Sequence, residues 1–145
     1  MVSFLAFHEH GLGYPTHWFL RRLLNEWGLE LQHLNPMGVL HIAGFVTVCE
    51  AFLRMEPHAD FFRRLFSGRT LSVGNSPEAV PVGGFTLQKK PSTRGLYPVY
   101  IPCDSIPGWH GECFYIRNPM EAPFPPFTSR RPERLDSWSW GLASR

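Results

Sequence analysis

After Pro15-Thr16 the apolar residues fall at Phe19, Leu20, Leu23, Leu24 and Trp27. That i, i+1, i+4, i+5, i+8 spacing is one stripe of a helix, and Arg21, Arg22, Asn25 and Glu26 occupy its other face. Gly28 follows, where a left-handed residue would stop the helix. A second helix is announced by Asn35 as its cap and Pro36 at its first position. It is expected to run to about Arg54 and is apolar nearly all round, through Val39, Leu40, Ile42, Phe45, Val46, Val48, Phe52 and Leu53. A helix of that kind belongs in the middle of a core. Glu50, nearly alone among these neighbours, is expected to face solvent or to pair with Arg54 four residues on. Pro57 then opens a short third helix carrying Phe61, Phe62, Leu65 and Phe66, with Arg63 and Arg64 between them.

The character changes after Ser67. Residues 67–84 are punctuated by Gly68, Gly74, Pro77, Pro81, Gly83 and Gly84, which predicts a loop with at most a short strand near Leu71–Val73. Beyond it the period becomes two. Phe85–Gln88, Leu96–Ile101 (broken by Pro98, hence an edge) and Cys113–Ile116 read as strands. From Asn118 onward, prolines at 119, 123, 125, 126 and 132 mark an extended segment. Helices first and strands after is an α+β arrangement. The expected organisation is one domain over 1–128, helical over 14–66, looped over 67–84 and β-rich and mostly antiparallel over 85–117. An extended or disordered tail over 129–145 follows.

Composition narrows this. With 145 residues, 43% hydrophobic and only 18% charged, the chain can sustain one core without metals or disulfides, and a solvated disordered tail cannot be the whole molecule. A net charge of +2 is a weak hint toward polyanions, since dedicated nucleic-acid domains are more basic and cluster their charge. Three cysteines, Cys49, Cys103 and Cys113, do not make a disulfide framework and fit reduced thiols in the cytoplasm or nucleus. No signal peptide is visible. The longest uncharged run, Leu31–Cys49, is broken by His33, Asn35, Pro36 and His41, so no membrane span is expected.

Candidate chemistry is sparse. There is no phosphate loop, and Gly11-Leu12-Gly13 lacks the third glycine of a dinucleotide fingerprint. Asp104-Ser105-Ile106 approaches the Asp-Ser-Gly of an aspartic protease but has Ile where glycine is needed, and reads as a turn. Cys103, His110 and Cys113 offer three zinc-type ligands and no obvious fourth. His8, His10 and the nearby His17 read as a surface polar cluster, His41 as a hydrogen-bonded core histidine. The expectation is accordingly no catalytic residue, no metal and no cofactor.

Four basic doublets carry more interest: Arg21-Arg22, Arg63-Arg64, Lys89-Lys90 and Arg130-Arg131. If two or three of them converge, they form a phosphate-binding patch, on which Phe62, Tyr97 and Tyr100 could stack bases. If they do not, each is the solvated face of its own element. Twelve Phe, five Trp and four Tyr are also many for one small core, which predicts aromatic surface available to another chain.

The ordered blocks Phe7–Pro15, Phe19–Leu24, Gly28–Pro36, Phe45–Leu53, Glu56–His58, Phe62–Phe66, Trp109 and Phe114–Asn118 give the chain a resemblance. It resembles, from about Phe4 to Trp140, the plant gypsy-type transposon (transposase-like) domain family. The resemblance implies the N-terminal region of a longer retroelement-derived polypeptide, here a short copy, and carries no catalytic residue across. No integrase, reverse-transcriptase, protease or zinc-knuckle signature stands beside it. The expected function is a non-catalytic interaction or assembly module acting through self-association or a protein partner. Nucleic-acid binding through the doublets is the alternative.

Overall fold

The computed structural model describes residues 2–13, 16–70, 82–93, 95–98, 107–117 and 120. Over these the chain is α+β: strand β1 (Val2–Phe4) leads into the short helix α1 (Leu5–Glu9), followed by α2 (Trp18–Trp27), α3 (Pro36–Thr47) and α4 (Ala59–Leu65). Strands β2 (Phe66–Thr70), β3 (Phe85–Lys89) and β4 (Cys113–Tyr115) complete the order. Two antiparallel ribbons form, β1 with β4 and β2 with β3, and one parallel bridge joins Leu34 to Phe85.

The helices form where the pattern placed them, and their ends have identifiable causes. Gly28 closes α2 at φ +67, in the left-handed region glycine enters without penalty. Asn35 Oδ1 accepts the Gly38 N–H at 2.8 Å at the start of α3, with Pro36 behind it. At α2 the cap is His17, whose Nδ1 accepts the Phe19 N–H at 3.1 Å.

α2, α3, α4 and β2 meet in an aromatic core. The Phe62 ring stacks on Phe66 at 4.7 Å between centroids, meets Phe45 edge-on at 5.1 Å and touches Phe19 and Trp27 near 6 Å. All five are essentially without solvent contact. Phe4, Phe7 and Trp109 build a second cluster, with centroids 4.9–5.2 Å apart, which ties the β1–α1 corner to the segment before β4. Beneath the α2–α3 link lies a buried polar knot. Glu30 caps the turn at Leu31–His33, the Gln32 amide donates to its carboxylate, and the Glu30 N–H donates to His33 Nδ1 at 3.0 Å.

Several expectations need correction. β1 and α1 have no counterpart in the sequence pattern, because three- and five-residue elements carry too little periodicity to register. The helical part ends at Leu65, and Phe66, expected in the third helix, opens β2, which runs on into the expected loop. Phe-Ser-Gly-Arg-Thr is a poor strand former, and its pairing with β3, about twenty residues on, supplies what propensity lacks. Leu96–Pro98 form no strand, and Val99–Ile101, Leu71–Val73 and the tail over 129–145 lie outside the described residues.

Gly11 is fixed by sterics. Its φ is +106, and a Cβ there would lie 2.7 Å from Ala43 Cβ on α3. Gly11→Ala is expected to cost about 2–3 kcal/mol in denaturant unfolding. In an Ala43→Gly background the loss should shrink but not vanish, since only the contact is relieved and the backbone angle remains.

Candidate functional site

α3 stops at Thr47, and the chain continues as one wider, π-helical turn over Val48–Phe52. The extra residue in that turn shifts the register of everything beyond it. Cys49 takes the last buried position, and Arg54 turns the chain at φ +52, unusual for a residue with a side chain. Phe52, Leu53 and Met55 are thereby turned outward, 78%, 50% and 40% exposed. The continuous apolar pattern predicted a core helix through Leu53. The π turn overrides that reading by rotating its last two large residues out of the core.

Glu50, in the same turn, is exposed as expected, and the partner it takes is not Arg54. Its Oε1 accepts from His17 Nε2 at 2.8 Å, across 33 residues. Because Nδ1 of His17 already accepts the Phe19 N–H, the ring proton must sit on Nε2 and point at the carboxylate. Both nitrogens are committed, so the imidazole has no lone pair left for base chemistry. The contact draws the start of α2, with the partly exposed Trp18, against the turn that carries Phe52. A cavity of about 370 Å³ lies beside it between α2 and α3, lined mainly by Leu12, Leu20, Val39, Ile42 and Val46 with His17 at its edge. An apolar cavity with one committed histidine suits packing or docking rather than bond making.

The other histidines and thiols are placed as follows. His8 Nε2 lies 3.0 Å from Ser3 Oγ and His10 Nδ1 2.6 Å from Ala6 O, so the two are tied locally and separately. His41 is buried against Phe66, and burial, helped by Lys89, holds its pKa down at about 4. Burial also lowers His33, with Glu30 opposing. The Cys49 thiol is pushed up by burial and then by Glu50, which leaves it protonated and unreactive at neutral pH. Cys113 is exposed, and Cys103 lies outside the described residues with Asp104 and Ser105. Among the described residues no three His, Cys, Asp or Glu side chains are grouped to hold a metal ion.

The basic doublets come together only in part. Arg63 bonds the Glu26 carboxylate on α2 and lies 3.4 Å from Asp60, so its charge is neutralised within the fold. Arg22, one turn before Glu26, and Arg64 are exposed, while Arg21 is half-buried. Lys89 reaches over the Tyr97 ring at 5.6 Å and toward Pro98 O at 3.5 Å. The Lys90 N–H donates to Leu65 O at 2.8 Å, which sets Lys89-Lys90 beside Arg64 along the chain paths. Of the proposed base-stacking rings, Phe62 and Tyr97 are buried in the core and cannot stack on a ligand. Tyr100, like Arg130-Arg131, lies outside the described residues.

The first half of the chain, which holds α1 to α4 and the π turn, is also the part with a recognisable relative. Residues 1–70 match the family model described as "Putative gypsy type transposon". This half of the chain is similar to gypsy-type transposon proteins. The match stops at the end of β2, short of the Trp140 to which the sequence resemblance extends. No curated protein and no solved structure matches the chain. Among the described residues no helix is long and apolar enough to cross a membrane.

Proposed function

We propose that this chain is a non-catalytic interaction module of a plant retrotransposon-derived protein, and that it associates with a second copy of itself through the Phe52–Leu53–Met55 turn. It works inside the cell, where its thiols stay reduced. The observation that carries the reading is the outward rotation of three large apolar side chains on a turn anchored to the body by the His17–Glu50 bond. Exposed aromatic and methionine side chains gathered on one rigid element are the usual centre of a protein contact. The commitment of both His17 nitrogens and the inert Cys49 thiol support a binding role over a catalytic one.

Light scattering across a concentration series tests it. The expected result is a dimer whose mass does not change between low and high salt, since apolar contacts are unscreened. Phe52→Ser combined with Leu53→Ser should return a folded monomer. A wild-type monomer at millimolar concentration, or a variant that still dimerises, would overturn the reading.

A second reading, nucleic-acid binding, is favoured by one observation, the adjacency of Arg64 to Lys89-Lys90 that the Leu65–Lys90 bond enforces. It requires RNA or DNA affinity that falls steeply with salt and weakens in Arg64→Gln and Lys90→Gln. Affinity indifferent to salt would remove it.

A further inference from the structure

The turn that carries Phe52, Leu53 and Met55 is held in a fixed shape. It is built on the π-helical turn over Val48–Phe52, bent by Arg54 at φ +52 and tied to the start of α2 by the His17–Glu50 bond. A π turn and a left-handed residue with a side chain are both rare conformations, and both collect at functional sites. A turn already fixed in this way loses little conformational freedom when another surface covers it.

The cavity of about 370 Å³ between α2 and α3 lies next to this turn. Val46 and Thr47 on its wall are the two residues before the π turn, and His17 at its edge is the residue that holds Glu50. Every polar side chain on the wall is engaged inside the fold. Thr16 Oγ1 donates to Gly13 O at 3.1 Å, Thr47 Oγ1 donates to Ala43 O at 2.9 Å, and His17 commits both ring nitrogens. The remaining side chains of the wall, Val39 and Ile42 among them, are aliphatic, so the occupant that fits is apolar. A cavity of about 150 Å³ already takes a benzene ring. This one has room for a phenylalanine side chain and a second apolar side chain beside it.

We propose, resting on the self-association reading, that Phe52 of a second copy enters this cavity with Leu53 beside it, and that each copy gives its turn and receives the other's. The chain itself supplies the occupant. Protruding ring and cavity are neighbours on one molecule, so a twofold axis between them seats both rings at once. Such an exchange buries two apolar turns instead of one and closes the assembly at two. Contact of turn against turn alone would leave the aliphatic walls uncovered.

Val46→Trp fills the cavity from its own wall and leaves Phe52, Leu53 and Met55 in place. In light scattering its dimer should be at least about a hundredfold weaker than wild type, with an unchanged circular dichroism spectrum. Mixing variants gives the sharper result. Val46→Trp keeps its turn and Phe52→Ser/Leu53→Ser keeps its cavity, so an equimolar mixture retains one complete contact. That heterodimer should be at least about tenfold tighter than either variant's association with itself, and at least about tenfold weaker than the wild-type dimer. A third measurement needs no variant: in a mixture of isotope-labelled and unlabelled wild-type chains, the Phe52 ring should show intermolecular NOEs to the methyls of Val39 and Ile42. A folded Val46→Trp that dimerises as wild type does would overturn the proposal and leave self-association standing. So would a mixture no tighter than its separate variants, or Ile42 methyls that contact only a ring of their own chain. A wild-type monomer at millimolar concentration would overturn both.

Discussion

Phe62→Ala should destabilise the protein by about 4 kcal/mol, the upper range for truncating a buried aromatic ring. The reason is position as much as size. Among the described residues Phe62 is the ring that touches α2, α3 and β2 at once, through Phe19, Trp27, Phe45 and Phe66. Removing it leaves a cavity that four separately anchored side chains must line, and none can move in without abandoning its own contacts. Against a typical total of roughly 5–15 kcal/mol, that loss takes a large share of the stability. Phe52→Ala, the same substitution on a ring that is 78% exposed, should change stability by less than about 0.5 kcal/mol. Urea unfolding of both variants checks the pair, and a Phe62→Ala loss below about 1.5 kcal/mol would show that the core is not organised around this ring.

Acid should weaken the fold through His41 before the carboxylates titrate. In the folded state burial, then Lys89, hold its pKa at about 4, against the ordinary 6.5 of an exposed histidine. Between those values the unfolded chain binds a proton that the folded chain does not, so stability falls as pH falls. The contribution is fully present above pH 6.5, declines through the window from 6.5 to 4 and is flat below it. Its limit is about 3 kcal/mol, from roughly 1.4 kcal/mol for each pH unit of displacement. His33, also lowered by burial, adds in the same direction. Stability measured at intervals from pH 7 to 4 should show this slope, and His41→Gln should reduce it even though the variant is less stable at pH 7. An unchanged slope in His41→Gln would place the acid sensitivity elsewhere.

Little of the candidate site was legible in the sequence. Phe52 and Leu53 stood in the chain as core residues because they continue an apolar helix without a break, and a π turn leaves no mark that periodicity can detect. The one available signal was Glu50, a lone carboxylate inside that run, which showed that part of this turn must reach polar surroundings. Its partner, His17, lies 33 residues away, so no local rule could pair them. The basic doublets were visible as charges, but whether a charge is available depends on what stands opposite. Arg63 is neutralised by Glu26, which sits on another helix. Phe62 and Tyr97 were candidates for stacking on a base, and burial removes both.

The sequence by itself determined what is settled within about one helical turn. The face and length of α2, its glycine stop, the Asn35-Pro36 start of α3, the position of α4 and the α+β order all rest on spacing and capping between residues at most a few positions apart. Tertiary structure alone decided the rest. The strand over Phe66–Thr70 exists because β3 pairs with it. Gly11 is a glycine because Ala43 lies against it, and Glu50 is held by His17 on the far side of α2 and α3. Each depends on a contact between residues far apart in the chain, and the free energy of such a contact is absent from either partner's local sequence.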